Sequence, residues 1–364
     1  MTLRVIIYRL GVIPLLLLLC ILAACSQQDL DQEEQGMVSL KVLASPGTKA
    51  GEGGTATATL PAKETAIFDL SIFIFNSNGD VIGFTSKDFS DGNPTTAVDV
   101  KTRKATGCSV YAIANAKTLN KNGTSPFDGV STLSVFKTKY LSFNAKAPND
   151  DKCLLMMGVS SDFDTSSAGS ASPAIITLKR LASRIDYTIT VKNDNATTFP
   201  IVVDSYQLRN VPTSTFYQQS DFTSPSMPSS TVFADLDKVP TSISSGAATT
   251  SADPYYVYAN ANTDPDPNSS KGTYLDIWAH SEVQGADGTK YTIWKSNFKV
   301  EMPGKQVLPN YHYKIDIVIN GSAKGKDGGV ITTYKAYPFF SGGNLERWND
   351  KWNNNNGQVK IDLN

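Results

Sequence analysis

The chain is poor in the residues that catalysis leans on. Only two histidines stand in 364 residues, His280 and His312, each in or at the end of a period-two stretch. A lone strand histidine is ordinarily a packed or surface residue, and no Gly-x-Ser-x-Gly elbow accompanies either one. Of four cysteines, Cys108 and Cys153 lack metal-ligand spacing with one another or with a histidine, which argues against a zinc or iron site. No glycine-rich loop follows a strand and opens a helix, because Gly51 to Gly54 runs into threonine and alanine, so no phosphate cradle is predicted. The acidic stretches Thr263–Asn268 and Asn149–Lys152 lack the glycine and glutamate of a calcium loop and read as solvated turns. Charge of one sign is also missing. With 33 basic and 34 acidic residues the net charge is −1, so no global field draws nucleic acid. Long helical periodicity is scarce. These absences predict no catalytic, cofactor or metal site and a chain that is not an enzyme.

What is present begins with the one long apolar run. Arg4 and Arg9 precede an apolar stretch from about Leu10 to Leu22, followed by Ala23-Ala24-Cys25. The run is too short to span a bilayer comfortably and has the layout of a removable export signal. The Leu-Ala-Ala-Cys spacing favours a lipoprotein signal over an ordinary one whose cysteine is incidental, so residues 1–24 leave and Cys25 becomes the acylated first residue. Residues 25–36 are polar and acidic and cannot offset their ordering entropy by burial. They read as a tether holding a folded body off a membrane, on the periplasmic side or outside the cell. With Cys20 removed and Cys25 acylated, Cys108 and Cys153 remain in an oxidising compartment, where they could pair; spacing does not show whether their Cβ atoms meet.

Beyond the tether the chain exceeds the size at which one hydrophobic core stops growing, which predicts two domains. Its period-two alternation predicts an all-β fold with few short helices. Val38, Leu40, Val42 and Ala44 alternate with Ser39, Lys41 and Leu43, giving a first strand over Met37–Ala44. An exposed, mobile loop is expected from Ser45 to Lys63. Ile67–Phe75 is apolar on nearly both faces, as in the central strand of a two-layer sandwich, and Asn78-Gly79 turns it into Val81-Ile82. Strands follow at Val98–Val100, Cys108–Asn115 and Leu154–Met157. One helix is predicted over Ser131–Tyr140, with Leu133, Phe136 and Tyr140 on one face and Ser131 or Thr132 as cap. Across Ala174–Val191 two strands join almost without a turn, which places a domain boundary near Ser183 and divides the chain into 37–183 and 184–364. A second set of strands is read at Ile201–Val203, Tyr206–Val211, Tyr255–Tyr258, Tyr274–His280, Tyr291–Trp294, Phe298–Met302 and Tyr311–Ile319, with Asp287-Gly288 as a hairpin turn. Thr241–Asp253 and Asp264–Gly272 read as loops. Val359, Ile361 and Leu363 alternate in a last strand.

These pieces resemble the Bacteroidetes fimbrillin family, the subunits of type V pili. The resemblance is carried by the lipobox at Cys25, by Glu64 with Ile67–Asn76 and the Asn78-Gly79-Asp80 turn, and by Val110-Tyr111-Ala112-Ile113-Ala114-Asn115-Ala116. Leu178-Lys179-Arg180-Leu181-Ala182-Ser183-Arg184-Ile185 is similar to the family's interdomain strand, and Tyr255–Tyr258 and Leu308–Tyr313 to its second-domain signatures. The resemblance implies two transthyretin-like β-sandwich domains in tandem, export as an outer-membrane lipoprotein, and assembly with other fimbrial subunits into an adhesive surface fibre. It further implies that a protease cuts behind the first strand, which leaves and is replaced by a neighbour's strand. Lys49 is the first basic residue there, where better-known members use arginine. The leaving strand would be Val38, Leu40, Val42 and Ala44. Val359, Ile361 and Leu363 could be the donor strand or the last strand of their own domain. Two rival readings stay open: a non-polymerising anchor or tip subunit that keeps its first strand, and a glycan-binding surface lipoprotein using Trp278, Trp294, Trp348 and Trp352. The adhesion ligand would be a host or bacterial surface molecule.

Overall fold

The computed structural model describes residues 35–44, 61–92, 97–166, 174–192, 200–244, 248–250, 254–261, 271–284, 286–302, 306–320, 330–338 and 358–361. The first eight strands are β1 Gln35–Ala44, β2 Asp69–Phe75, β3 Val81–Asp88, β4 Val98–Arg103, β5 Cys108–Ala114, β6 Tyr140–Ser142, β7 Met156–Phe163 and β8 Ala174–Arg180. All but β6 close on themselves in the order β1-β4-β3-β2-β5-β7-β8.

That closure is thin at two seams. Among the described residues, β3 and β4 pair at the single position Gly83–Thr102, and β7 and β8 only at Met156–Arg180 and Met157–Lys179. A Cβ on Gly83 would lie 2.9 Å from Thr102 Cβ, and one on Gly158 would lie 2.6 Å from Ile176 Cγ2 and from the Thr177 carbonyl. Only a residue without a side chain lets the backbones approach this closely. Between the seams lie the two layers expected of a sandwich, β4-β1-β8 and β3-β2-β5-β7, joined along both edges.

β2 is buried along its whole length because each face has its own cover. Leu70, Ile72 and Ile74 point into the barrel with Leu40, Val100 and Ile176. Phe73 and Phe75 point outward, where Phe136 sits 5.2 and 5.6 Å from their ring centroids. Phe136 is carried by the helix Leu133–Thr138, capped at Thr132, whose side chain accepts from the Val135 amide at 3.2 Å. The helix is shorter than the spacing suggested: Tyr140 falls in β6 with its side chain exposed, so only Leu133 and Phe136 serve the apolar face.

The later strands are β9 Ala182–Lys192, β10 Ile201–Arg209, β11 Val211–Pro212, β12 Ser214–Phe216, β13 Phe233–Ala234, β14 Val239–Ile243, β15 Ala248–Thr250, β16 Tyr255–Tyr258, β17 Tyr274–Gln284, β18 Lys290–Glu301, β19 Tyr311–Asn320, β20 Val330–Pro338 and β21 Gln358–Ile361. They form a four-stranded sheet β14-β10-β17-β18 and a larger one ordered β15-β9-β19-β20-β21, with β16 also on β9. Tyr187, Ile189, Ile277, Phe298, Ile315 and Ile317 share one core there. Only Leu181 separates β8 from β9, and β6 pairs with β12 in a separate two-stranded sheet.

Several boundaries differ from the sequence reading. The expected loop ends early, in a one-turn helix at Ala62–Thr65. The breaks read near residues 204–205 and 295–297 are absent: β10 absorbs the first as a register shift between Val203 and Ser205, and β18 runs through the second. Part of β14 and all of β15 lie inside the stretch read as the loop Thr241–Asp253, where short Thr- and Ala-rich strands carry little apolar alternation. Cys108 and Cys153 do not pair. Both are free and buried, Cys108 among the residues inside the barrel and Cys153 in the aromatic cluster outside it. Burial raises both thiol pKa values, that of Cys153 to about 12, so neither is a ready thiolate.

Candidate functional site

The site is the seat of β1. The amino-terminal half of β1 runs antiparallel to β4, with Gln35 opposite Arg103 and Leu40 opposite Val98. Its carboxy-terminal half runs parallel to β8, with Leu40 opposite Ala174, Val42 opposite Ile176 and Ala44 opposite Leu178. Among the described residues only Leu40 is paired on both sides. β1 is thus the middle strand of its layer, yet each half is held by one ladder. Period two directs Val38, Leu40 and Val42 inward, where all three are buried. Outward, Met37 and Leu43 remain 51% and 44% exposed, and Ile175 on the neighbouring β8 is 62% exposed. The side chain of Ala44 lies outside the described residues.

The chain beyond the loop is fastened by a buried ionic cluster. Glu64, in the helix Ala62–Thr65, is fully buried; its Oε1 accepts from the Tyr256 hydroxyl at 2.7 Å and from Arg184 Nη1 at 3.2 Å. Arg180, at the end of β8, is also fully buried and donates from Nε to the Glu64 carbonyl at 2.7 Å, while its amide donates to Asn310 Oδ1 at 3.0 Å. Arg184 Nε donates to Asp186 Oδ1 at 3.0 Å, and His312 Nε2 lies 2.6 Å from Asp186 Oδ2. Two carboxylates thus face two guanidiniums. Burial opposes charge throughout: it lowers the pKa of Arg180 despite Glu64, and pushes up that of the Tyr256 phenol, which stays protonated and donates. At Asp186 burial is outweighed by His312 and Arg184, which hold the carboxyl below its usual range. Lys63 adds a further fastening, donating to the carbonyls of Pro148 and Asn149.

Of the residues singled out from sequence, the structure brings together Val38, Leu40 and Val42. Cys25, Lys49 and Leu363 lie outside the described residues. Val359 and Ile361 lie in β21 at the sheet's edge, opposite Thr332 and Val330 of β20, where they take the part of a last strand. Trp278 carries Lys238 Nζ 3.7 Å above its ring, and the side chains of Trp294, Trp348 and Trp352 are not described. His280 and His312 each meet an aspartate, Asp204 and Asp186. In the sequence Glu64, Arg180 and Arg184 stand only as motif letters. Their pairing spans more than a hundred residues and no local pattern announces it, although an arginine inside an apolar strand junction is a signal of buried charge.

Residues 37–199 match the family described as major fimbrial subunit protein (FimA). The fimbrillin resemblance drawn from the motifs therefore holds, over a segment that starts within β1 and includes Glu64, Arg180, Arg184 and Asp186. None of the curated proteins matches the chain. Among solved structures, a candidate cell adhesion protein from Parabacteroides distasonis shares the fold at 15% identity and TM-score 0.60, over 85% of this chain and 98% of that one. A second candidate cell adhesion protein, from Bacteroides eggerthii, does so at 16% identity and TM-score 0.56, over 85% and 98%. A fimbrilin from Porphyromonas gingivalis does so at 14% identity and TM-score 0.51, over 84% and 99%. The family match supports a structural fimbrial subunit, and the solved structures share its all-β fold.

Proposed function

We propose that the chain is exported as a lipoprotein acylated on Cys25 and becomes a surface fimbrial subunit by exchanging β1 for a strand of another copy. The single observation that carries this reading is the seat of β1: a middle strand whose two halves are each held by one ladder, ahead of a loop that holds Lys49 and behind which Glu64 and Lys63 fasten the chain. Cleavage after Lys49 frees the strand without loosening the body of the protein. An incoming strand would bury in this slot side chains like Val38, Leu40 and Val42, worth roughly 1.5 to 3 kcal/mol each and so on the order of 5 to 10 kcal/mol before ordering costs. Ladder hydrogen bonds would add about 0.5 to 1.5 kcal/mol each and set direction. Val359, Ile361 and Leu363 repeat the period of the leaving strand and are the proposed donor, taken from the edge of their sheet. The tandem division at Ser183, the absence of enzymatic activity and adhesion to a host or bacterial surface molecule belong to the same reading.

Sequencing the amino terminus of the protein recovered from fibres tests it. A first residue of Ala50 is expected. Fibres whose subunits all begin at lipidated Cys25 would instead identify an anchor or tip subunit that keeps β1.

A further inference from the structure

The two neighbours of β1 are not equally able to wait for a new strand. β8 is held independently of β1: Arg180 and Lys179 pair with Met156 and Met157, the Leu181 amide donates to the Leu155 carbonyl at 2.9 Å, and the ionic cluster pins Arg180. β4 is held at its end by Thr165, whose hydroxyl donates to the Arg103 carbonyl at 2.7 Å. Away from β1, its only ladder position among the described residues is Thr102 opposite Gly83. The halves of β1 also differ, since the β8 ladder is parallel and spans five positions while the β4 ladder is antiparallel and spans six. Parallel pairing is slightly weaker per residue, and the parallel half adjoins the loop in which the chain would be cut.

We propose that the edge of β8 from Ala174 to Leu178 is the landing surface for the incoming strand of a second copy, and that β4 releases β1 only afterwards. This rests on the strand-exchange reading above and adds an order of events to it. The carboxy-terminal half of β1 peels from β8 first, taking Val42 with it. The arriving strand pairs parallel to β8 and places an apolar side chain opposite Ile176. It then displaces the remaining half from β4, which never stands without a partner. What fits the edge is an extended segment with apolar residues at every second position, running in the direction of β1.

Cross-links at outward-facing positions separate the two halves. Ser39 is opposite Asp99 and Leu43 is opposite Thr177. The full chain, with a specific protease site placed between Gly53 and Gly54, would be made unlocked, as Ser39→Cys/Asp99→Cys and as Leu43→Cys/Thr177→Cys. Disulfide formation would be verified by peptide mapping. Each form is then nicked and offered a labelled peptide of residues 35–44. The lock at 39–99 is expected to leave peptide capture within about threefold of the unlocked chain, with β1 still attached. The lock at 43–177 is expected to lower capture at least tenfold, and reduction should restore it. Equal blocking by both locks, or capture by the 43–177 form alone, overturns the proposed order and leaves strand exchange standing. A nicked, unlocked chain that captures no peptide overturns the exchange reading and this inference together.

Discussion

At the residue scale, Glu64 is the most heavily committed side chain. Its carboxylate is fully buried, and among the described residues its Oε2 has no hydrogen-bond partner, so its stability comes from Tyr256 and Arg184 on the other oxygen. Breaking a buried pair from one side strands the other charge and typically costs about 3 to 5 kcal/mol. Glu64→Ala should therefore lower the free energy of unfolding in urea by about that much, and Tyr256→Phe by about 1 to 2 kcal/mol. Asp186 gives a pH test. Its folded pKa lies below the unfolded value of 3.8, so its contribution is complete above 3.8 and is lost as pH falls through the folded pKa. The stability gap between the natural chain and Asp186→Asn should thus stay constant near neutrality and shrink in the acid range, read by thermal unfolding from pH 6 down to 2.5. A gap that widens with acid would show that Asp186 is not held in its charged form.

At the scale of elements, the seams and β1 make separate predictions. Gly158→Ala places a methyl against Ile176 and the Thr177 carbonyl, and overpacking of this kind costs about 1 to 3 kcal/mol. The measured loss should be accompanied by faster hydrogen exchange in β8. Leu40→Ala removes the one β1 side chain whose residue is paired on both sides, and should cost about 2 to 5 kcal/mol by denaturant titration, whereas Lys41→Ala should stay within about 0.5 kcal/mol. Much at this scale was legible in the sequence. The period of Val38, Leu40 and Val42, the two-faced apolarity of Ile67–Phe75, the Asn78-Gly79 turn and the turnless junction before Ser183 are local signals. Closure at Gly83 and Gly158 was not legible, because those contacts are made between backbones far apart in sequence. The opposed charges of Glu64, Arg180, Arg184 and Asp186 escaped for a similar reason: each reads as an ordinary polar letter until the fold removes water from around it. Tyr140 misled because its spacing continues a helix that ends before it, where β6 pairs instead with β12.

At the scale of the whole molecule, the cluster ties β8 of one sheet system and β9 of the other to Glu64, just behind the expected loop. Cutting the loop should then leave a single cooperative unfolding transition as long as β1 stays seated, since its side chains still fill the barrel. Calorimetry of the nicked chain would check this; two transitions would mean that the loop itself couples the halves. A labelled thiol reagent offers a second measure of integrity, because Cys108 and Cys153 should react only once the barrel and the aromatic cluster open.

The mixed neighbourhood of β1 has one last implication. A segment laid in backwards would be parallel to β4 and antiparallel to β8, exchanging both hydrogen-bond patterns at once. Under the proposed exchange, every copy added through this slot would face the same way as the one before it, and the contact would be heterologous, which builds open filaments rather than closed pairs. Such a filament would have an arrow: one terminus would present an exchangeable slot and the other an unused strand, so growth would proceed from unlike ends and could be stopped at either by a single molecule shaped for it.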